Sequence, residues 1–380
     1  MVDPMGSSPG RFGVVTVGET ITASSGDCDA ARRRSSSASM STATLDRTAL
    51  HPASCLPLGE LGARLFTAAA HEETSLLGFW ALHRLDVAEL RAPIDRALIG
   101  GAIADRVAWA FLSGYQAALC ALVPSRDPAQ LAALCVTESG GGHPRAVLSE
   151  LRAINGAHTL SGHKRWSTTV PDVDVLLVVA RQGADVDGHP QLRVAMIEAT
   201  RAGVRFLPMP PPPFVPELSH GEVVLDAVHI ADEELLPGDG YARYVKPFRT
   251  IEDLHVNAAV LAYLLGAARR HHAPQSLVER LFAAIVAARA LAVDDARASA
   301  THLALAGLLA LMRPLVDELV AHLATRSDDA AKIEHTRLTR DLALLGIAGK
   351  AREQRRANAW ATLATDPSAV PTVAAPAAVR

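Results

Sequence analysis

The sequence predicts an α+β protein with three structured parts in series: an N-terminal helical domain, a central antiparallel β-barrel or sheet domain, and a C-terminal four-helix bundle. Three observations predict it. Apolar residues recur at three- and four-residue spacing up to about Leu122, short β-rich runs replace that period between 131 and 228, and Ala/Leu-rich helical segments return after Pro247. The order narrows the architecture without naming a function.

The first part, residues 1–55, carries the tract Arg32-Arg33-Arg34-Ser35-Ser36-Ser37 and almost no apolar period, so it is expected to be a disordered extension. It has no continuous apolar signal-type segment, Asp27 and Asp29 argue against a transit peptide, and Met40 is an alternative start. The helical domain is assigned to 56–130. Leu58, Leu61 and Leu65 hold the helical spacing, and Ile99, Ile103, Val107, Ala110 and Phe111 repeat it between Pro93 and Pro124.

The β-domain is assigned to 131–244, with strands at 131–136, 173–180, 192–197, 204–207 and 222–228. The Pro-rich piece 208–213 lacks amide donors and is read as an extended surface connection. Helices at 251–272, 275–292, 298–323 and 330–363 suit an antiparallel bundle over 245–365, and the tail 366–380 is expected to be frayed.

Composition excludes several classes of partner. Lys+Arg 37 nearly cancel Asp+Glu 40, for a net charge of −3, so no clustered basic surface for nucleic acid is expected. Cys28, Cys55, Cys120 and Cys135 have neither zinc-site spacing nor the density of a secreted disulfide scaffold, which makes a reducing cytoplasm the default. The longest apolar runs, 258–268 and 303–312, fall short of the roughly 20 residues that span a bilayer.

Two segments carry chemistry. In Cys135-Val136-Thr137-Glu138-Ser139-Gly140-Gly141-Gly142-His143 a strand enters three glycines, whose backbone amides can approach a phosphate or a flat ring, although a plain hairpin loop has the same composition. In Gly162-His163-Lys164-Arg165-Trp166-Ser167-Thr168 an indole beside hydroxyls can wall a flat aromatic cofactor, or simply fill a core.

Together the two segments resemble the acyl-CoA dehydrogenase family, in which they read T-E-P-G-A-G-S-D and G-x-K-x-W-I-T. The strand and turn from Glu222 to Ile230 and from Glu234 to Gly240 add to the resemblance, which is good over 131–272 and architectural beyond. It implies FAD as cofactor and an acyl-CoA or other acyl thioester as substrate in fatty acid metabolism, with loss of the α proton to a carboxylate and of the β hydride to flavin N5. It also implies an electron-transfer acceptor and assembly as a homodimer or homotetramer, for which the apolar C-terminal helices are suited.

By the same resemblance Val136 and Thr137 would contact the pyrimidine side of the flavin, Gly142 and His143 its phosphates, Trp166 and Ser167 its ring, and Thr168 the neighbourhood of N5. His143 and Pro144 stand where the family has Ser and Asp, and the late helices lack Arg-x-x-Phe-Gly, Gly-Gly-x-Gly and Tyr-Glu-Gly-Thr. The carboxylate best aligned with the base used by some branches is Glu252. Thr250-Ile251-Glu252-Asp253 also reads as a helix N-terminal cap, and both readings stay open. Arg352, Arg355 and Arg356 form a basic face, either solvated or able to dock a CoA phosphate or a partner's flavin pyrophosphate, and His271-His272 at a helix end read as partners of the helix dipole rather than ligands. Two other outcomes share the fold: a non-catalytic homologue acting as a subunit or binding module, and a flavin monooxygenase that needs no carboxylate base.

Overall fold

The computed structural model describes residues 55–154, 156–183 and 189–365; the expected disordered extension, apart from Cys55, and the frayed tail lie outside the described residues. The N-terminal helices are α1 (Leu58–Thr67), α2 (Leu76–Asp86), α3 (Pro93–Ala102) and α4 (Val107–Leu122). Ser75 caps α2 by accepting from Gly78 N at 3.1 Å, and Pro93 opens α3, where its missing amide costs nothing. The block read as one helical period is two helices, because Arg106 is extended and starts α4 afresh.

Helix α5 (Lys246–Arg270) is the axis of the molecule, buried without a break from Asp253 to Ala268. Gly101 of α3 and Gly114 of α4 let the helices meet closely: a Cβ there would lie 2.1 Å from the Ala259 carbonyl and 2.5 Å from the Val256 Cα. With the π-helical turn Tyr241–Val245 ahead of it, the helix is apolar and long enough to cross a membrane, contrary to the expectation from single apolar runs. Its apolar window is 89% buried, which identifies it as a core helix.

The C-terminal bundle continues with α6 (Gln275–Ala292), α7 (Ser299–Ala324), α8 (Asp329–Asp341), α9 (Ala343–Gly346) and α10 (Gly349–Thr365). The fourth helix expected at 330–363 is therefore broken into three. Ile347 is extended and Ala348 has φ +64°, so the chain turns sharply and α10 returns to lie against α7.

Among the described residues seven strands form one sheet in the order β1 (Ala132–Cys135), β4 (Val175–Gln182), β2 (Glu150–Ile154), β3 (Ala157–Thr168), β7 (His220–Ile230), β6 (Val204–Pro208), with β5 (Leu192–Glu198) paired to β4. The sheet is mixed rather than antiparallel, since β4 runs parallel to both β1 and β2. Burial explains the difference. Val175, Leu177 and Val179 face the helices while Leu176, Val178 and Ala180 face a second core between the two halves of the sheet. A strand covered on both faces reads as an unbroken apolar run, as strands in parallel pairings do.

One charged network joins the three parts. Arg106 holds Asp105 through two bonds of 2.8 and 2.7 Å, and Arg340 of α8 holds Glu217 at 2.9 Å and Asp341 at 2.7 Å. Asp341 accepts from Val215 N at 2.8 Å, so the loop after the exposed Pro-rich piece is pinned to the bundle.

Candidate functional site

The site grows from the ends of β1 and β3. Arg165 N donates to the Thr137 carbonyl at 2.8 Å, which brings the two chemistry-bearing segments side by side. Beneath them Lys164, 0% exposed, donates to Glu138 at 2.6 Å. Glu138 also accepts from Leu148 N at 2.8 Å, Ser149 N at 3.0 Å and Ser149 Oγ at 2.8 Å. Burial alone would raise the Glu138 carboxyl, but the Lys164 charge and these donors outweigh it and hold it below its ordinary range.

A bulge then aims the indole. The β3–β7 register shifts between Lys164 and Ser167, an extra residue on β3. Lys164 and Ser167 consequently both point inward, and Trp166, at φ +60°, is turned outward and left 47% exposed. The hydroxyl of Ser167, expected at the cofactor, instead donates to Cys135 Sγ at 3.4 Å in the interior. Alternation along the strand excludes its side chain from the outward face. Thr168 shares the outward parity of Trp166, and its Oγ1 lies 3.5 Å from His220 Nε2, the outer limit of a hydrogen bond. His220 Nδ1 meets the Leu218 carbonyl at 3.1 Å, and burial lowers the ring's pKa.

Val136 is half-buried on the helix-facing side of β1, and Thr137 is half-buried at its end. The glycine segment closes as a tight turn in which Glu138 and Gly141 exchange backbone bonds of 3.2 and 2.9 Å, so the Gly141 amide is not free for a ligand. Gly142 is buried, and His143 caps the short turn 144–146 by accepting from Arg145 N at 3.2 Å. Its Nε2 is the ring nitrogen left to donate.

Glu252 lies on α5. The helix begins with the π-turn after Gly240, where Asp239 accepts from Ala242 N at 2.6 Å, so Glu252 lies well inside the helix and does not cap it. Its half-buried carboxylate takes no hydrogen bond or ion pair among the described residues. Burial and the neighbouring Asp253 charge push its pKa up to about 7, against the pull of Arg352, Arg355 and Arg249. The Glu252 charge also acts on Tyr115, whose hydroxyl accepts from Leu134 N at 3.0 Å, so carboxylate and β1 are linked through one side chain.

The basic face of α10 is not solvated as a whole. Arg352 donates to Asp253 at 2.6 Å and to the Leu345 carbonyl at 2.8 Å, and Arg355 donates to Asp253 and, at 3.1 Å, to Thr250. Arg356 alone of the three is exposed. His271 ends α5 with its ring 3.4 Å from Glu334 of α8, an internal contact. Sequence reasoning missed the Glu138–Lys164 pair, this clamp on Asp253, and Asp239. The pair had a signal, an acid and a lysine embedded in the two quoted motifs; the clamp had none, because its partners are 99 residues and more apart.

Residues 133–228 match the family model described as acyl-CoA dehydrogenase, middle domain. Among solved structures, butyryl-CoA dehydrogenase from Megasphaera elsdenii is similar at TM-score 0.59 and 14% identity, over 80% of this chain and 97% of that one. An FAD-dependent dehydrogenase follows at TM-score 0.58 and 13% identity, over 80% and 97%. FkbI, described as serving biosynthesis of the methoxymalonyl extender unit of the polyketide Fk520, has TM-score 0.54 and 19% identity over 83% and 95%. No curated protein matches in sequence. Residues 133–228 are thus similar in sequence to the acyl-CoA dehydrogenase middle domain, and the described residues share the acyl-CoA dehydrogenase fold.

Proposed function

We propose that the protein is an FAD-dependent oxidoreductase that desaturates an acyl thioester between its α and β carbons, with Glu252 as the base. The observation that carries the reading is the state of Glu252: a half-buried carboxylate with no partner among the described residues and a pKa pushed up to about 7, within electrostatic reach of Tyr115, which bonds β1. A general base works best when its pKa lies near the operating pH. Carboxylates buried for structural reasons are usually paired, as Glu138 is.

The residues present fit a flavin ring. Trp166 offers an exposed indole, Thr137 and Thr168 are half-buried on the segments beside it, and His143 Nε2 suits a phosphate. When bound, the flavin supplies the acceptor for the β hydride. Glu252 takes the α proton; the buried rings of Tyr115 and Phe248 meet edge to face at 6.0 Å close by. Trp166→Ala should weaken FAD binding by about tenfold while leaving the melting temperature unchanged, because the indole is exposed in the free protein. Quenching of flavin fluorescence on titration measures it.

The substrate enters as an acyl-CoA or a related thioester, and electrons leave to a separate acceptor in the cytoplasm. The adenine half of FAD requires a surface outside the motifs of this chain, which favours a homodimer or homotetramer with the bundles in contact. Anaerobic mixing of the FAD-loaded protein with saturated acyl-CoAs tests the reaction. Bleaching of the flavin is expected, and a flavin that no acyl-CoA reduces overturns the reading.

A further inference from the structure

Arg249 is a half-buried guanidinium with no hydrogen bond, ion pair or ring contact among the described residues. Its neighbours by charge are Tyr241, Arg355 and Glu252. It precedes Glu252 by three positions on α5, so the two side chains share a face of the helix. The nearby cations Arg352 and Arg355 are both tied to Asp253, which leaves that carboxylate no capacity for Arg249. Glu252 is an incomplete counterion, because burial and the Asp253 charge favour its neutral form. A guanidinium never gives up its charge in water, and a partly desolvated one without a partner is costly unless a ligand supplies the anion.

We infer that Arg249 is the receptor for a second acidic group on the acyl chain, so that the substrate is a short dicarboxylic acyl thioester. The inference rests on the thioester reading above and narrows it. A planar guanidinium binds carboxylate through two parallel bonds, which fixes orientation as well as charge. The phosphates of CoA are poor candidates for the same cation: the pantetheine arm separates them from the thioester by far more than the single helical turn between Arg249 and Glu252. On the reading above, the phosphates of the flavin are met by His143, beyond the end of β1. The group that reaches Arg249 while its α carbon meets Glu252 therefore belongs to the acyl chain itself.

Isothermal titration of the full chain, loaded with FAD, tests the assignment. The probes are succinyl-CoA and glutaryl-CoA, each against the neutral thioester of equal carbon count, butyryl-CoA and valeryl-CoA. At least one acidic probe should bind about 10- to 100-fold more tightly than its neutral counterpart. Arg249→Met should erase that preference and leave affinity for the neutral probes as it was. Arg249→Lys, which keeps the charge but not the fork, should retain part of it and serves if the Met variant fails to fold. Equal binding of acidic and neutral probes, or a preference that survives in either folded variant undiminished, overturns the role of Arg249 and leaves the thioester reading standing. Failure of all four to bind overturns both.

Discussion

Glu252→Gln should leave a yellow protein whose flavin an acyl thioester no longer bleaches. The amide has nearly the shape of the carboxylate and no basicity, so cofactor binding survives and proton abstraction does not. A positioned general base is worth about 10²- to 10⁴-fold in rate, and stopped-flow flavin reduction should fall by that factor. In the unsubstituted protein the rate of reduction should rise with pH and level off above about 7, where the carboxylate is ionised.

The same substitution should have an opposite effect on stability. The folded pKa of Glu252 is raised above 4.5, so the contribution of its protonated form is fully present below pH 4.5 and is lost as pH rises through about 7. Gln imitates the protonated form at every pH. At pH 8 the variant should therefore be more stable than the parent by roughly 1–3 kcal/mol, and at pH 4.5 the two should be equal. Urea unfolding at the two pH values measures the difference, and a variant no more stable at pH 8 would mean that Glu252 is comfortably ionised and unsuited to the base role.

Glu138→Gln should be the most damaging single change in the β-domain. It leaves the Lys164 ammonium at 0% exposure with no opposite charge, and it disturbs the three bonds that hold 148–149 under the glycine turn. Removing one partner of a buried pair costs about 3–5 kcal/mol. Replacing both at once, with Glu138→Leu and Lys164→Met, should recover much of the loss, because no charge is then left buried. Because the Glu138 carboxyl is held below 4.5, its contribution is present above that pH and is lost as pH falls through the lowered value. Chemical denaturation of the single and double variants distinguishes a structural pair from a pair that acts on the cofactor, since the latter would lose flavin without losing stability.

Local pattern carried the succession of helices, sheet and helices, and the two segments that meet at Thr137 and Arg165. Both are written in periods of two and three to four residues, and in glycines at fixed places. What local pattern could not carry depends on partners remote in the chain. The six apolar residues from Val175 to Ala180 read equally well in a parallel or an antiparallel strand, and only pairing with β1 and β2 decides it. Thr250 to Asp253 looked like a cap because acids favour helix starts, yet the true start is set by Asp239 and a π-turn with no periodic signature. Resemblance alone places Ser167 at the flavin ring, and the bulge that sets it inward beside an outward Trp166 shows only in the register with β7. The arginines of α10 resembled a solvated stripe until the break at Ile347 and Ala348 folded them back onto Asp253.

The strands bearing Thr137 and Trp166 stand or fall as a flavin wall by a single spectrum. Purified protein, incubated with FAD and passed through a desalting column, should show the visible absorption bands of bound flavin in equimolar amount with the chain. A folded protein that emerges colourless contradicts the account.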